Sequence, residues 1–215
     1  MSVFEEIAKR YFDEVGVLVP ASSALSFLFG VCFFAIDAKS GAGWVGLMGT
    51  KFSSIWFFGD LIFELQVSAL VLIAALSLLG PVLSRVVALR FMVRGVSANE
   101  VEIRRVFDLA KKLAPAGVDS IYIEAARNLR KMSSTAVWGQ YRIASLLFSI
   151  SLISIFSFSL VGLTVGLFMI GAGIFLAFRF AVSFVASYLP ERILIDAALG
   201  LIEPRILESA FSESK

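Results

Sequence analysis

From position 143 to position 185 the sequence is apolar almost without interruption. A helix crossing the roughly 30 Å hydrocarbon core of a bilayer takes about 20 residues at 1.5 Å each, so this run is too long for one crossing. It reads as a hairpin of two, turning at Gly162-Leu163-Thr164-Val165-Gly166, where breakers gather. Two earlier runs behave alike, at residues 15–36 and 55–84, the cleaner part of the second being 65–84. With 59% hydrophobic and 17% charged residues, against roughly 45–50% apolar in ordinary soluble domains, a water-soluble globule is excluded. The expected fold is an all-α integral membrane protein with four transmembrane helices, at 15–36, 55–84, 143–161 and 163–187. A cleaved leader fits the first run badly, because Glu5, Glu6, Asp13 and Glu14 outweigh Lys9 and Arg10 ahead of it.

Orientation follows from charge. Residues 85–142 hold 11 of the 19 Lys and Arg against five acids, and loops with excess Lys and Arg stay cytoplasmic. Both termini then face the cytoplasm, N-in and C-in. The connections that face outward are residues 37–54, whose only basic residues are Lys39 and Lys51, and the turn near Gly162. Trp44 and Trp56 flank the outer side and Trp138 and Tyr141 the inner side, as interfacial aromatics do. Multi-pass insertion in a bacterial inner membrane is the expected location.

The remaining segments read as a small helical cytoplasmic layer. Residues 1–14 form an amphipathic interfacial helix, with Phe4, Ile7, Ala8, Tyr11 and Phe12 on one face and a Ser2–Glu5 capping box. It is either a docking or gating helix or a stiff entry into the first span. Within 85–142, Ser97 and Glu100 suggest a second capping box ahead of a helix whose apolar face is Ile103, Val106, Phe107, Ala110, Leu113 and Ala114, ended by Pro115 and Gly117. Another helix is expected from Asp119 or Ser120 to about Met132, and Arg85, Arg90 and Arg94 suggest that the second span continues inward. Residues 188–215 offer Ile193, Leu194, Ile195 and Leu207 to the same layer. Helices this short bury too little alone, so they pack on each other, a neighbouring protomer or a soluble protein. The candidate docking residues are Arg104, Arg105, Phe107, Lys111, Lys112, Leu113, Arg127 and Arg130. Their charge also fits anionic headgroups, or the general positive-inside bias.

Few residues point to chemistry. There is no His, which removes imidazole catalysis and His-ligated metals, and the single Cys32 excludes an intrachain disulfide. No cofactor, metal or nucleic acid is expected. Asp60 and Glu64 share a helix face that Ser68 extends, which suits an acidic ring at a cation entrance or a solvated outer helix end. Arg179 is placed to snorkel to the inner leaflet. Gly162-x-x-x-Gly166 and the stripe Gly173, Ala177, Ala181 permit close helix approach, within the hairpin or between protomers. Six Ser between Ser145 and Ser159 can bond back to their own helix or across to another. Gly41-x-Gly43-x-x-Gly46 matches the dinucleotide fingerprint only as a string, because no strand precedes it; it reads as a flexible, Gly-rich outer loop.

Taken together, four spans, a helical cytoplasmic insert at 85–142 and no catalytic set make the chain resemble, in topology, the four-span membrane subunits of bacterial anti-phage systems, such as the Kiwa membrane subunits. The resemblance implies a homo-oligomer that detects perturbation of the envelope and controls a cytosolic effector, and it carries over no site residues. The functional expectation is a non-enzymatic homo-oligomeric sensor or anchor that docks a soluble cytoplasmic partner. The alternative is a small cation channel lined by the second span.

Overall fold

The computed structural model describes residues 8–9, 11–12, 19–40, 44–45, 65–113, 120–157 and 159–198. Among these residues all regular structure is helical. We label the helices α1 (Val19–Ser40), α2 (Val67–Ala98), α3 (Glu100–Leu113), α4 (Ser120–Ile155) and α5 (Leu160–Ser183), followed by a π-helical turn (Phe184–Tyr188) and α6 (Leu189–Ala198).

Among the described residues two helices are long and apolar enough to cross a membrane: α2, and the rod Leu160–Ala197 that runs from α5 through the π turn into α6. Their most apolar windows are only 33% and 22% buried. A core helix of a soluble protein with such composition hides its apolar side chains, whereas Val67, Val71, Leu160 and Phe168 stand exposed here. The apolar stretch of α1, Ser22–Ala38, is shorter, and α4 does not meet the same criterion. The described residues therefore give an all-helical chain with two potential spans.

Three boundaries differ from the sequence-based expectation. The described turn residues between α4 and α5 are Phe156 and Ser157, ahead of Gly162, and both Gly162 and Gly166 are inside α5. Ser159 explains the position: its hydroxyl accepts the Gly162 N–H at 2.9 Å, an N-cap that opens α5. The helix beginning at Ser120 does not stop near Met132 but continues through the expected third span as one 36-residue helix. The change from charged to apolar sequence carries no proline, and the helix runs on through Gly139. Finally, Ser97 belongs to α2, where its hydroxyl donates to the Val93 carbonyl, and α3 starts after the single turn residue Asn99.

The chain divides into two compact units. One comprises Leu18–Val87 and Tyr141–Leu176, the other Met1–Val17, Ala88–Gln140 and Ala177–Lys215. In the first, Phe33, Trp44, Leu76 and Ile153 form a buried cluster, with Phe29, Val165 and Met169 against it. Glycines set its helix crossings. A Cβ on Gly30 of α1 would lie 2.5 Å from Ile73 Cγ2 of α2, and one on Gly166 would lie 2.6 Å from Ile155 Cγ1 and 2.9 Å from the Ser151 carbonyl oxygen of α4.

A close approach joins α2 and α4. Pro81 lies inside α2 and has no N–H, so the Ser77 carbonyl four residues back lacks its helical donor. The Ser149 hydroxyl donates to that carbonyl at 3.3 Å, sharing its proton with the Ser145 carbonyl of its own helix at 3.2 Å. Gly80 makes the contact possible, since a Cβ there would lie 2.5 Å from the Ser149 amide nitrogen and 2.6 Å from its Cα. The other hydroxyls of this stretch, on Ser145, Ser151 and Ser154, bond back to carbonyls three or four residues earlier.

Ser149→Ala should therefore cost about 1 kcal/mol, the size of one interhelical hydrogen bond. Gly80→Leu should cost more, about 1–3 kcal/mol, because it forces two backbones apart. Thermal unfolding of the detergent-solubilised protein measures both, and the reverse ranking would contradict the packing described.

Candidate functional site

The second unit brings together charged and aromatic groups from distant parts of the sequence. On α6, Arg192 and Asp196 are one helical turn apart and form an ion pair with 3.2 Å between Nε and Oδ2, each side chain only 7% exposed. Tyr11, from the amphipathic N-terminal segment, donates its hydroxyl hydrogen to the same Asp196 Oδ2 at 3.0 Å. The Arg192 guanidinium carbon lies 5.8 Å from the Tyr11 ring centroid, within cation–π range. A buried carboxylate is tolerated because it is both paired and hydrogen-bonded.

An aromatic cluster lies beside it. Phe12 meets Phe180 and Phe184 with ring centroids 6.0 and 6.4 Å apart. Trp138 of α4 meets Tyr188 at 5.4 Å, and Phe184 meets Tyr188 at 5.2 Å. The π turn contributes Phe184, Val185 and Tyr188 to this buried side. Leu189 separates it from Pro190, whose missing N–H removes the α-helical donor of the Ala186 carbonyl, and the Leu189 N–H bonds back to the Phe184 carbonyl five residues earlier. α6 then packs along α3, where Ile103, Phe107 and Ala110 are buried opposite Leu189 and Ile193 on the α6 side.

The predicted docking residues separate in this arrangement. Phe107 is only 1% exposed, a correction to its candidacy as a docking residue: its ring fills the interior and is closed to a soluble partner. Arg104 and Arg105 are on the surface, Arg104 paired with Glu100 at 2.6 Å and Arg105 with Glu102 at 3.4 Å. Lys111, Lys112 and Leu113 lie in the last turn of α3, and Arg127 and Arg130 within α4. The side chains of these five lie outside the described residues. On the face of α3 opposite Phe107, Val101, Arg105 and Leu109 recur at four-residue intervals and are exposed.

The other candidates fall as follows. Asp60 and Glu64 lie outside the described residues, while Ser68 is exposed in the first turn of α2. Gly162, Gly166 and Gly173 all turn toward the end of α4, its turn or Phe148, so this stripe serves the hairpin itself. Ala177 and Ala181 are buried, and Arg179 is exposed. Cys32 is a buried free thiol. Among the described residues no group of three or more His, Cys, Asp or Glu gathers as a metal site. Tyr11 had been placed on the correct apolar face, but its partner is 185 positions away, and only the i, i+4 spacing of Arg192 and Asp196 hinted at a pair.

No protein-family model, curated protein or solved structure matches this chain.

Removing one partner of the buried pair leaves the other charge uncompensated, which costs about 3–5 kcal/mol. Asp196→Ala should lower thermal stability by that order, Tyr11→Phe by about 1–2 kcal/mol, and the double variant by less than their sum. Strict additivity in such a double-mutant cycle would show that the Tyr11 hydroxyl and Asp196 are not coupled.

Proposed function

We propose that the chain is a multi-pass protein of a bacterial inner membrane, with four spans and both termini in the cytoplasm, and that it acts as a non-enzymatic homo-oligomeric sensor or anchor for a soluble cytoplasmic partner. The observation that carries the reading is the exposure of apolar side chains along α2 and α5, which water would penalise and lipid would not. α1 and the apolar end of α4 supply the other two crossings. The excess of Lys and Arg in residues 85–142 orients them.

Docking is assigned to the outer face of α3. Its inner face is used for packing, so the exposed Val101 and Leu109, with Arg105 between them, remain to contact a partner. An apolar pair around a cation suits an amphipathic acidic surface. This replaces Phe107 as the centre of the docking surface and leaves Arg105 within it. A role in anti-phage defence, coupling an envelope disturbance to a cytosolic effector, agrees with the topological resemblance and with a cytoplasmic layer that carries no catalytic set in its sequence.

Two measurements test the proposal. In a Cys32→Ser background, Ala42→Cys should label with an impermeant thiol reagent in intact cells, whereas Val118→Cys and Ser212→Cys should label only after permeabilisation; the opposite pattern overturns the orientation. Native mass spectrometry of the complex extracted from its own host should give a homo-oligomer carrying a soluble protein, lost in the double variant Val101→Asp, Leu109→Asp. A bare oligomer would instead favour ion conduction, and a bare monomer would remove both functions.

A further inference from the structure

A groove of about 370 Å³ opens in the unit that contains α3 and α6, between the last two turns of α2 and the end of α5 with its π turn. Phe91 and Phe178 close one part of it, their rings edge to face at 5.4 Å. Gly95 leaves its wall bare on the α2 side, while Val182, Val185 and Ala186 line the other. The size is near the lower end of the roughly 300–1,000 Å³ typical of small-molecule sites, enough for one slender apolar ligand.

The polar side chains of the groove are Arg94 and Asn99. Asn99 is already engaged, its Nδ2 donating to the Gly95 carbonyl at 2.9 Å. Arg94 is different. Arg104, Arg105 and Arg192 are held in ion pairs, whereas Arg94 has no such partner among the described residues. Arg90 stands one turn earlier on the same face of α2, also exposed. An apolar slot lined by one guanidinium group, with a second arginine one turn earlier on the same helix face, is complementary to an amphiphile with an anionic head. It also lies where the apolar part of α2 gives way to Arg85, Arg90 and Arg94, the sequence pattern of a span reaching cytoplasmic headgroups.

We propose that this groove binds one acyl chain of an anionic phospholipid, with Arg94 donating to the phosphate and Arg90 adding charge. The guanidinium fork suits phosphate oxygens, and the chain displaces water from Phe91, Phe178 and Val182. The proposal rests on the membrane reading given above and adds to it a defined lipid site distinct from the charged face of α3.

The test is native mass spectrometry on the full-length, detergent-purified chain, titrated separately with phosphatidylglycerol, phosphatidylcholine of matched acyl chains, and glycerol phosphate. One phosphatidylglycerol per chain should be retained at least about fivefold better than phosphatidylcholine, the effect of about one Arg at a lipid surface. Glycerol phosphate, which has no chains, should not be retained. Arg94→Gln should lower phosphatidylglycerol retention about fivefold and leave phosphatidylcholine unchanged, Arg94→Lys should restore part of it, and Ala186→Phe, which fills the groove, should reduce both. Unaltered thermal unfolding of the variants controls for misfolding. Equal retention of the two lipids, or retention indifferent to Arg94→Gln and Ala186→Phe, overturns the site. Retention of glycerol phosphate would show a phosphate site without a chain and overturns it as well. Recovery of the chain in the soluble fraction of lysed cells is a separate outcome, which removes the membrane reading itself.

Discussion

A peptide carbonyl in an apolar surrounding must find a donor, and the packing of α2 on α4 is organised by one that lost its own. Pro81 deprives Ser77 of its helical partner, Ser149 of the facing helix supplies a hydroxyl, and Gly80 lets the two backbones come close enough for it to reach. Each element would be unfavourable alone. A proline interrupts the ladder, a glycine weakens a helix, and a buried serine needs an acceptor. Together they fix which turn of α2 meets which turn of α4. The α4–α5 hairpin uses the same economy of volume, with Gly162, Gly166 and Gly173 admitting the end of α4, its turn and Phe148.

The unit built around α3 and α6 solves the opposite problem. It gathers charge and aromatic surface into an interior where ionic groups survive only in mutual contact. Asp196 is held from two directions, by Arg192 on its own helix and by Tyr11 from the beginning of the chain. The rings of Phe12, Trp138, Phe180, Phe184 and Tyr188 shield the neighbourhood. Such a pair adds little net stability over well-packed apolar residues, but it is specific, because a misplaced α6 would leave a carboxylate buried alone. The π turn belongs to the same arrangement, since it brings Phe184, Val185 and Tyr188 to the buried side just ahead of Pro190.

Local periodicity and charge made several elements legible in the sequence. The apolar face of α3 is legible at Ile103, Phe107 and Ala110, a helix expected from Asp119 or Ser120 is described from Ser120 onward, and α2 continues past Arg85 as helix. What escaped was decided by partners distant in sequence. The sequence carries α2 through Gly80-Pro81, but the residue that packs against this pair, Ser149 of the facing helix, has no local sign. Gly162 looks like a turn until the cap at Ser159 takes that role and frees the glycine for packing. For the same reason Phe107 was read as a contact for another protein: an apolar face signals burial, and only the position of α6 reveals that the chain covers that face itself. The Tyr11–Asp196 contact had no local signature, and Asp60 and Glu64 lie outside the described residues.

The separation of Tyr11 and Asp196 also has a consequence in time. Their hydrogen bond joins positions 185 residues apart, at the two ends of the described chain. At roughly 5–20 residues per second, a ribosome that has just added Tyr11 needs about 10–40 s more to add Asp196. Throughout that interval the amphipathic start of the chain has its aromatic face but not its final polar anchor. Completion of this part of the protein therefore waits for α6, and a chain truncated before α6 retains Tyr11 without the carboxylate that accepts its hydrogen bond.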